Sequence, residues 1–142
     1  MNAKHGQAAH QLDDHMLVSR QIAPEDVPEL QRLGVTMIVN NRSDHEDPGQ
    51  PLGADIEAAA KAAGVEYRYV PIVRGIGPSD VEAMRHAMRE CGDGKLLAFC
   101  RSGTRSTLVW AVARAEGGAS RDELDRCAAA AGVDLSPVHH LL

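Results

Sequence analysis

KLLAFC, residues 95–100, is an apolar run that stops at a cysteine; after RSGTR, apolar character resumes in STLVWAVARAEGG, residues 106–118. The first run is short and flanked by turn residues, which reads as a buried strand. The second is apolar nearly all round, which reads as a central helix covered on every side. A strand and a helix that both need cover force the rest of the chain to supply outer layers.

The other segments alternate in the same way. MLVSRQI (16–22) is a short strand, and PEDVPELQRLG (24–34) a helix with proline at its start and glycine at its end. VTMIVNN (35–41) is a β-branched strand, followed by a turn-rich loop, RSDHEDPGQPLG (42–53). ADIEAAAKAAG (54–64) is a helix, VEYRYVPIV (65–73) a strand and RGIGP (74–78) a loop. SDVEAMRHAMRECG has Ser79 and Glu82 at capping-box spacing, and SRDELDRCAAAAG repeats it with Ser120 and Glu123. SPVHHLL closes with a short helical turn. Strands alternating with helices predict a single three-layer α/β domain with a mainly parallel sheet of four to five strands. Residues 1–14 are polar and rich in His, Gln and Asp; they are expected as a flexible tail, leaving 15–142 as the domain.

With only four aromatics (Phe99, Trp110, Tyr67, Tyr69), the core must be mostly Ala, Val, Leu and Ile. A net charge of −5 without a Lys/Arg cluster argues against nucleic-acid or membrane partners. No apolar run reaches membrane-span length, and the N-terminus lacks the apolar stretch of a signal peptide. The three cysteines cannot all pair and match no zinc spacing, so a reducing, cytoplasmic setting without metal or cofactor is expected.

Sites in parallel sheets lie beyond the carboxyl ends of the strands, where Cys100 falls. The loop Arg101, Ser102, Gly103, Thr104 ends at a helix N-terminus, whose backbone N–H groups and dipole favour an anion. Gly103 lets those N–H groups converge, and Arg105 adds a planar, permanently charged donor suited to an oxyanion. A thiol in that field is biased towards thiolate, the nucleophilic form. Cys100 is therefore the expected nucleophile, Arg105 the anion binder, and Ser106 either a helix cap or a donor to the sulfur.

The loop AFCRSGTRST resembles the active-site loops of cysteine-dependent phosphatases and of rhodanese sulfurtransferases. Together with VTMIVNNRSDHED and AAKAAGVEYRYVPI, it is similar to the bacterial beta-lactamase-hydrolase-like phosphatase family over roughly residues 14–135. That resemblance implies a protein-tyrosine-phosphatase-like fold, sometimes fused to a metallo-β-lactamase-like persulfide dioxygenase. Two departures bear on the chemistry. Phosphatases of this type place five residues between Cys and Arg; here there are four, as in a rhodanese loop. They also carry an aspartic general acid after the preceding strand, where this chain has Arg74, with Asp80 six residues on.

The main expectation is thus a rhodanese-type sulfurtransferase, carrying sulfur from thiosulfate or a persulfide as a Cys100 persulfide to a thiol acceptor or a persulfide dioxygenase. The alternative is a phosphatase acting on phosphate monoesters through a phosphocysteine on Cys100. An inactive phosphate-binding module is the third reading. Arg42 and Arg74 are candidates for the site mouth, and Asp80 for a general acid. DHED (44–47) is read as solvated, and Cys91 and Cys127 as structural.

Overall fold

The computed structural model describes residues 9–142. Among these residues, five strands form one sheet in the order β1-β2-β5-β3-β4: β1 (Ala9–Asp13), β2 (Met16–Ser19), β3 (Val35–Asn40), β4 (Glu66–Tyr69) and β5 (Lys95–Phe99). β2, β5, β3 and β4 run parallel; β1 returns antiparallel along β2 as the edge. Residues 1–14 are thus not a tail throughout. Ala9–Asp13 is a strand whose Leu12 is buried, while residues 1–8 of that segment lie outside the described residues.

Among the described residues, five α-helices cover the sheet: α1 (Val27–Arg32), α2 (Gly53–Ala62), α3 (Pro78–Cys91), α4 (Thr104–Glu116) and α5 (Arg121–Ala130). Short 3-10 turns occupy Pro24–Asp26 and Ser136–Leu141. Pro28 sits in the first turn of α1, where its missing N–H breaks no helical bond.

The period of two along the central strands sorts the core into two clusters. Leu96 and Ala98 face the layer of α3, α4 and α5, with Met84, Val109, Trp110 and Leu124. Leu97 and Phe99 face the layer of α1 and α2, with Val27, Leu30, Ile56 and Ala60. In β3, Val35 and Met37 face opposite clusters, which their spacing of two forbids in a regular strand; an irregularity in the β3–β5 register between them switches the face. The outcome is the three-layer α/β domain the alternation predicted. β5 is central and buried except at Lys95, and all four parallel strands end at the edge where Cys100 begins the loop to α4.

Two helix starts differ from the sequence reading. α3 begins one residue before Ser79: Gly77 is the cap, and the Asp80 carboxylate accepts the Gly77 N–H at 2.9 Å. At α5, Ser120 caps as expected, its hydroxyl accepting the Glu123 N–H at 3.2 Å, but the Glu123 carboxylate turns to Arg114. No helix among the described residues is long and apolar enough to cross a membrane.

Candidate active site

Cys100 is 1% exposed, directly after β5. Its sulfur accepts a hydrogen bond from the Gly103 N–H at 3.1 Å, so the loop curls back over it. Gly103 makes that curl with φ +97°, in the left-handed region that an L side chain enters only at a cost. It also serves as the cap residue of α4, and its carbonyl accepts from the Thr107 N–H and Oγ1. The first N–H groups of α4 therefore open at the same pole as the sulfur.

Arg105 is fixed from two sides. Its Nη1 and Nη2 each donate to one oxygen of Glu46 at 2.8 Å, and Nη1 also donates to the Ile72 carbonyl at 2.8 Å. The Arg105 pKa is raised, first by the hydrogen bonds to Glu46 and to a smaller degree by the charge of Cys100 beside it. Conversely, the Arg105 guanidinium is the main influence that holds the Glu46 carboxyl at about 2, against an ordinary 4.5; Ser43 and Arg42 add to it against the opposing effect of burial. Glu46 is an anion at any working pH and cannot lend a proton.

Behind this pair stands a buried guanidinium. Arg42 is 4% exposed and donates to Glu46 Oε1 at 3.0 Å, Asp47 Oδ2 at 2.6 Å and Gln21 Oε1 at 3.0 Å. It does not line the site mouth; it organises the 43–47 loop that presents Glu46 to Arg105. DHED is accordingly more than a solvated run: Asp44 Oδ1 accepts the Gly53 N–H at 2.8 Å, Glu46 clamps Arg105, and Asp47 joins Arg42 to Arg101.

Asn41, which sequence reasoning passed over, ties the site's segments together. It is fully buried. Its N–H donates to the Phe99 carbonyl at 2.8 Å and its carbonyl accepts the Ile72 N–H at 3.0 Å. Its side-chain amide donates to the Val70 carbonyl at 2.8 Å and accepts from the Ser106 hydroxyl at 2.8 Å. The end of β5, the exit from β4 and the first turn of α4 all meet on this residue. Ser106, 0% exposed, spends its one hydroxyl proton on Asn41. It is neither the helix cap nor, in this arrangement, a donor to the sulfur.

The remaining candidates face outwards or serve structure. The Arg101 side chain is 70% exposed and pairs with Asp47 at 3.3 Å. Ser102 and Thr104 bond each other through their hydroxyls at 3.1 Å. Arg74 is exposed and makes no ion pair among the described residues. Asp80 is occupied by the Gly77 N–H at the start of α3. Among the described residues, no three His, Cys, Asp or Glu side chains converge as a metal site.

Residues 9–117 match the model of the beta-lactamase hydrolase-like protein, phosphatase-like domain. The chain belongs to that family. Two beta-lactamase hydrolase-like proteins illustrate it: one from Xylella fastidiosa is 32% identical over 126 residues, and one from Agrobacterium fabrum 30% identical over 129. These matches cover 87% and 89% of this chain but only 29% and 30% of the relatives, so the chain spans under a third of their length. Among solved structures, a candidate phosphatase from Neisseria meningitidis is 37% identical with a TM-score of 0.79, covering 94% of this chain and 96% of its own. The active form of Tk-PTP has the same fold at 21% identity and TM-score 0.69, covering 91% and 88%. So has P. aeruginosa TpbA in complex with pTyr, at 19% and 0.61, covering 84% and 71%. The fold is that of the protein-tyrosine-phosphatase type, and the family is phosphatase-like.

Proposed function

We propose that this chain hydrolyses phosphate monoesters through Cys100, rather than working chiefly as the sulfurtransferase that its loop spacing suggested. The observation that carries the reading is the seating of the sulfur: Gly103 N–H on Cys100 at the N-terminus of α4, with Arg105 beside it and clamped by Glu46. Membership of a phosphatase-like family and the likeness to a candidate phosphatase at 37% identity support it.

The Cys100 thiolate attacks phosphorus, forming the S–P bond as the ester P–O bond breaks and the alkoxide leaves. Arg105 and the loop N–H groups stabilise the equatorial oxygens as charge spreads over them. Water then attacks the phosphocysteine, releasing inorganic phosphate and the thiolate. Arg105 reaches this geometry already oriented, because Glu46 and the Ile72 carbonyl hold its fork before substrate arrives. Asp80 is engaged by the Gly77 N–H, Glu46 is held ionised, and Arg74 stands where an acid is expected. Without a placed acid, leaving groups that depart as weakly basic anions are favoured, which means aryl phosphates over alkyl phosphates.

The same two features keep sulfur transfer as the second reading. Four residues between Cys100 and Arg105 form a rhodanese-like loop, and a sulfite leaving group needs no acid. Its sulfur would be held as a Cys100 persulfide and passed to a thiol acceptor or a persulfide dioxygenase.

The deciding experiment is a pair of initial-rate assays on the reduced protein, with Cys100→Ser as control. One supplies an aryl phosphate, the other thiosulfate with cyanide. Cys100-dependent phosphate release with negligible thiocyanate is expected; the reverse pattern would replace the phosphatase reading with the sulfur one. Activity in neither would leave a phosphate-binding module, testable by whether the protein still binds vanadate.

A further inference from the structure

Three consecutive residues beside the catalytic loop change character in step. Ile72 is buried, and its carbonyl accepts a hydrogen bond from Arg105 Nη1 at 2.8 Å. Val73 is 67% exposed, the most open large apolar side chain among the described residues. Arg74 is exposed and makes neither an ion pair nor a side-chain hydrogen bond among those residues. Gly75 then turns the chain at φ +68°, and a Cβ built on it would meet nothing within 4 Å, so the corner that carries Arg74 opens to solvent. An anion anchor, an exposed apolar side chain and an unpaired cation thus follow one another outward from Arg105.

The other charges at this end of the sheet are already engaged. Arg42 is divided between Glu46 and Asp47, Glu46 also holds Arg105, and Arg101 pairs with Asp47. The Asp44 carboxylate accepts the Gly53 N–H, and that of Asp80 the Gly77 N–H. His45, exposed on the 43–47 loop, brings no negative charge. Two cations are left over: Arg74, past β4, and Arg20, past β2, whose backbone N lies 3.9 Å from where a Cβ on Gly103 would stand. They flank the loop on opposite sides, because β5 and β3 lie between β2 and β4. Arg105 is fixed on the β4 side, through Ile72, so Arg74 is the spare cation nearer to the anion binder along the chain. Two residues of extended chain span at most about 7 Å, a length that one aromatic ring with a group at each end covers.

We infer that the monoester taken by this site is an aryl phosphate whose ring carries a second anionic group, a carboxylate or similar oxyanion: phosphoryl at Cys100 and Arg105, ring on Val73, second anion on Arg74. The inference rests on the phosphatase reading and names a substrate class for it. A guanidinium suits the role, since its planar fork takes a carboxylate through two parallel hydrogen bonds.

The test is steady-state phosphate release by the full reduced chain from 4-carboxyphenyl phosphate and from 4-carbamoylphenyl phosphate, which match in size and differ by one charge. The quantity read is the ratio of their kcat/KM values in the wild type, Arg74→Gln and Arg20→Gln. Comparing that ratio between proteins cancels the difference between the two leaving groups. Arg74→Gln should lower it roughly fivefold, the size of one ion pair in water, chiefly through a higher KM for the carboxylate. Arg20→Gln removes the same charge from the other side of the loop and should change the ratio far less, because solvent and salt screen a distant charge. A ratio unmoved by Arg74→Gln, or lowered equally by Arg20→Gln, overturns the inference and leaves the phosphatase reading standing. No Cys100-dependent phosphate release from either ester overturns that reading, and the inference with it.

Discussion

Replacing Glu46 with Gln removes one negative charge from the Arg105 clamp while keeping its size. The carboxyl sits at about 2 in the fold against an ordinary 4.5, a depression worth about 3 kcal/mol if taken at face value. Glu46 and Arg105 are 24% and 27% exposed at a surface site, and screening by solvent lowers the figure to about 1–2 kcal/mol. The sign follows from the direction of the shift. A carboxyl with a depressed folded pKa contributes its full stability above the ordinary value and loses it as pH falls through the folded one. Near neutral pH Glu46→Gln should therefore be less stable than the wild type by about 1–2 kcal/mol. Between pH 4.5 and about 2 the wild type should lose that advantage, because protonated Glu46 becomes nearly equivalent to Gln. Urea denaturation of both proteins at stepped pH from 7 to 2 measures the gap directly. A gap that stays constant across that range would refute the reasoning, because the effect would then be lost packing and not charge. A matching fall in vanadate affinity at pH 7 is expected as Arg105 loses its orientation.

Three further outcomes follow from the same geometry. Ser106→Ala leaves the buried Asn41 Oδ1 without its donor and should cost about 1–3 kcal/mol by urea denaturation; a change below 0.5 kcal/mol would mean that Asn41 finds another partner. Gly103→Ala meets no close backbone, since its Cβ would lie 3.5 Å from Ser19, but φ of +97° should cost about 1–2 kcal/mol and loosen the N–H contact to Cys100. Asp80→Ala removes the cap on Gly77 and should destabilise the fold by about 1 kcal/mol. Its kcat on aryl and alkyl phosphates should change by the same factor, and a selective loss on the alkyl ester would restore Asp80 as the acid.

The layers were readable because burial imposes its own periodicity. The KLLAFC run and the all-round apolar STLVWAVARAEGG segment required a central strand and a helix, and they occupy those places as β5 and α4. The position of Cys100 and Arg105 was readable because a strand–loop–helix junction sets both beside a helix N-terminus, which favours an anion. The first strand was not: AHQLD alternates weakly, with Leu12 alone fully buried, and its polar composition matched an exposed tail. An edge strand with one solvated face shows little hydrophobic signal. The capping-box spacing at Ser79 misled for a related reason, since Asp80 offers a carboxylate to the preceding N–H, and Gly-Pro already sets the turn.

The partners of Arg105 were hidden because they are 59 and 33 residues away in the chain. Local pattern does not report such pairings. One signal did exist: Arg42 and Glu46 stand four apart just past a strand that must end at the same edge as β5. A buried arginine needs carboxylates, and the nearest acids in sequence were those of DHED. Following that requirement leads from Arg42 to Glu46 and Asp47, and from Glu46 to whichever cation lies across the strand ends, which is Arg105. Asn41 completes the reasoning from the other side. A polar side chain at the buried end of a central strand must satisfy both its amide and its carbonyl, and only the β4 exit and the first turn of α4 are close enough to do so. Its side chain thus fixes Val70 and Ser106 at the site, its backbone carbonyl takes the Ile72 N–H, and with Ile72 comes the carbonyl that holds Arg105.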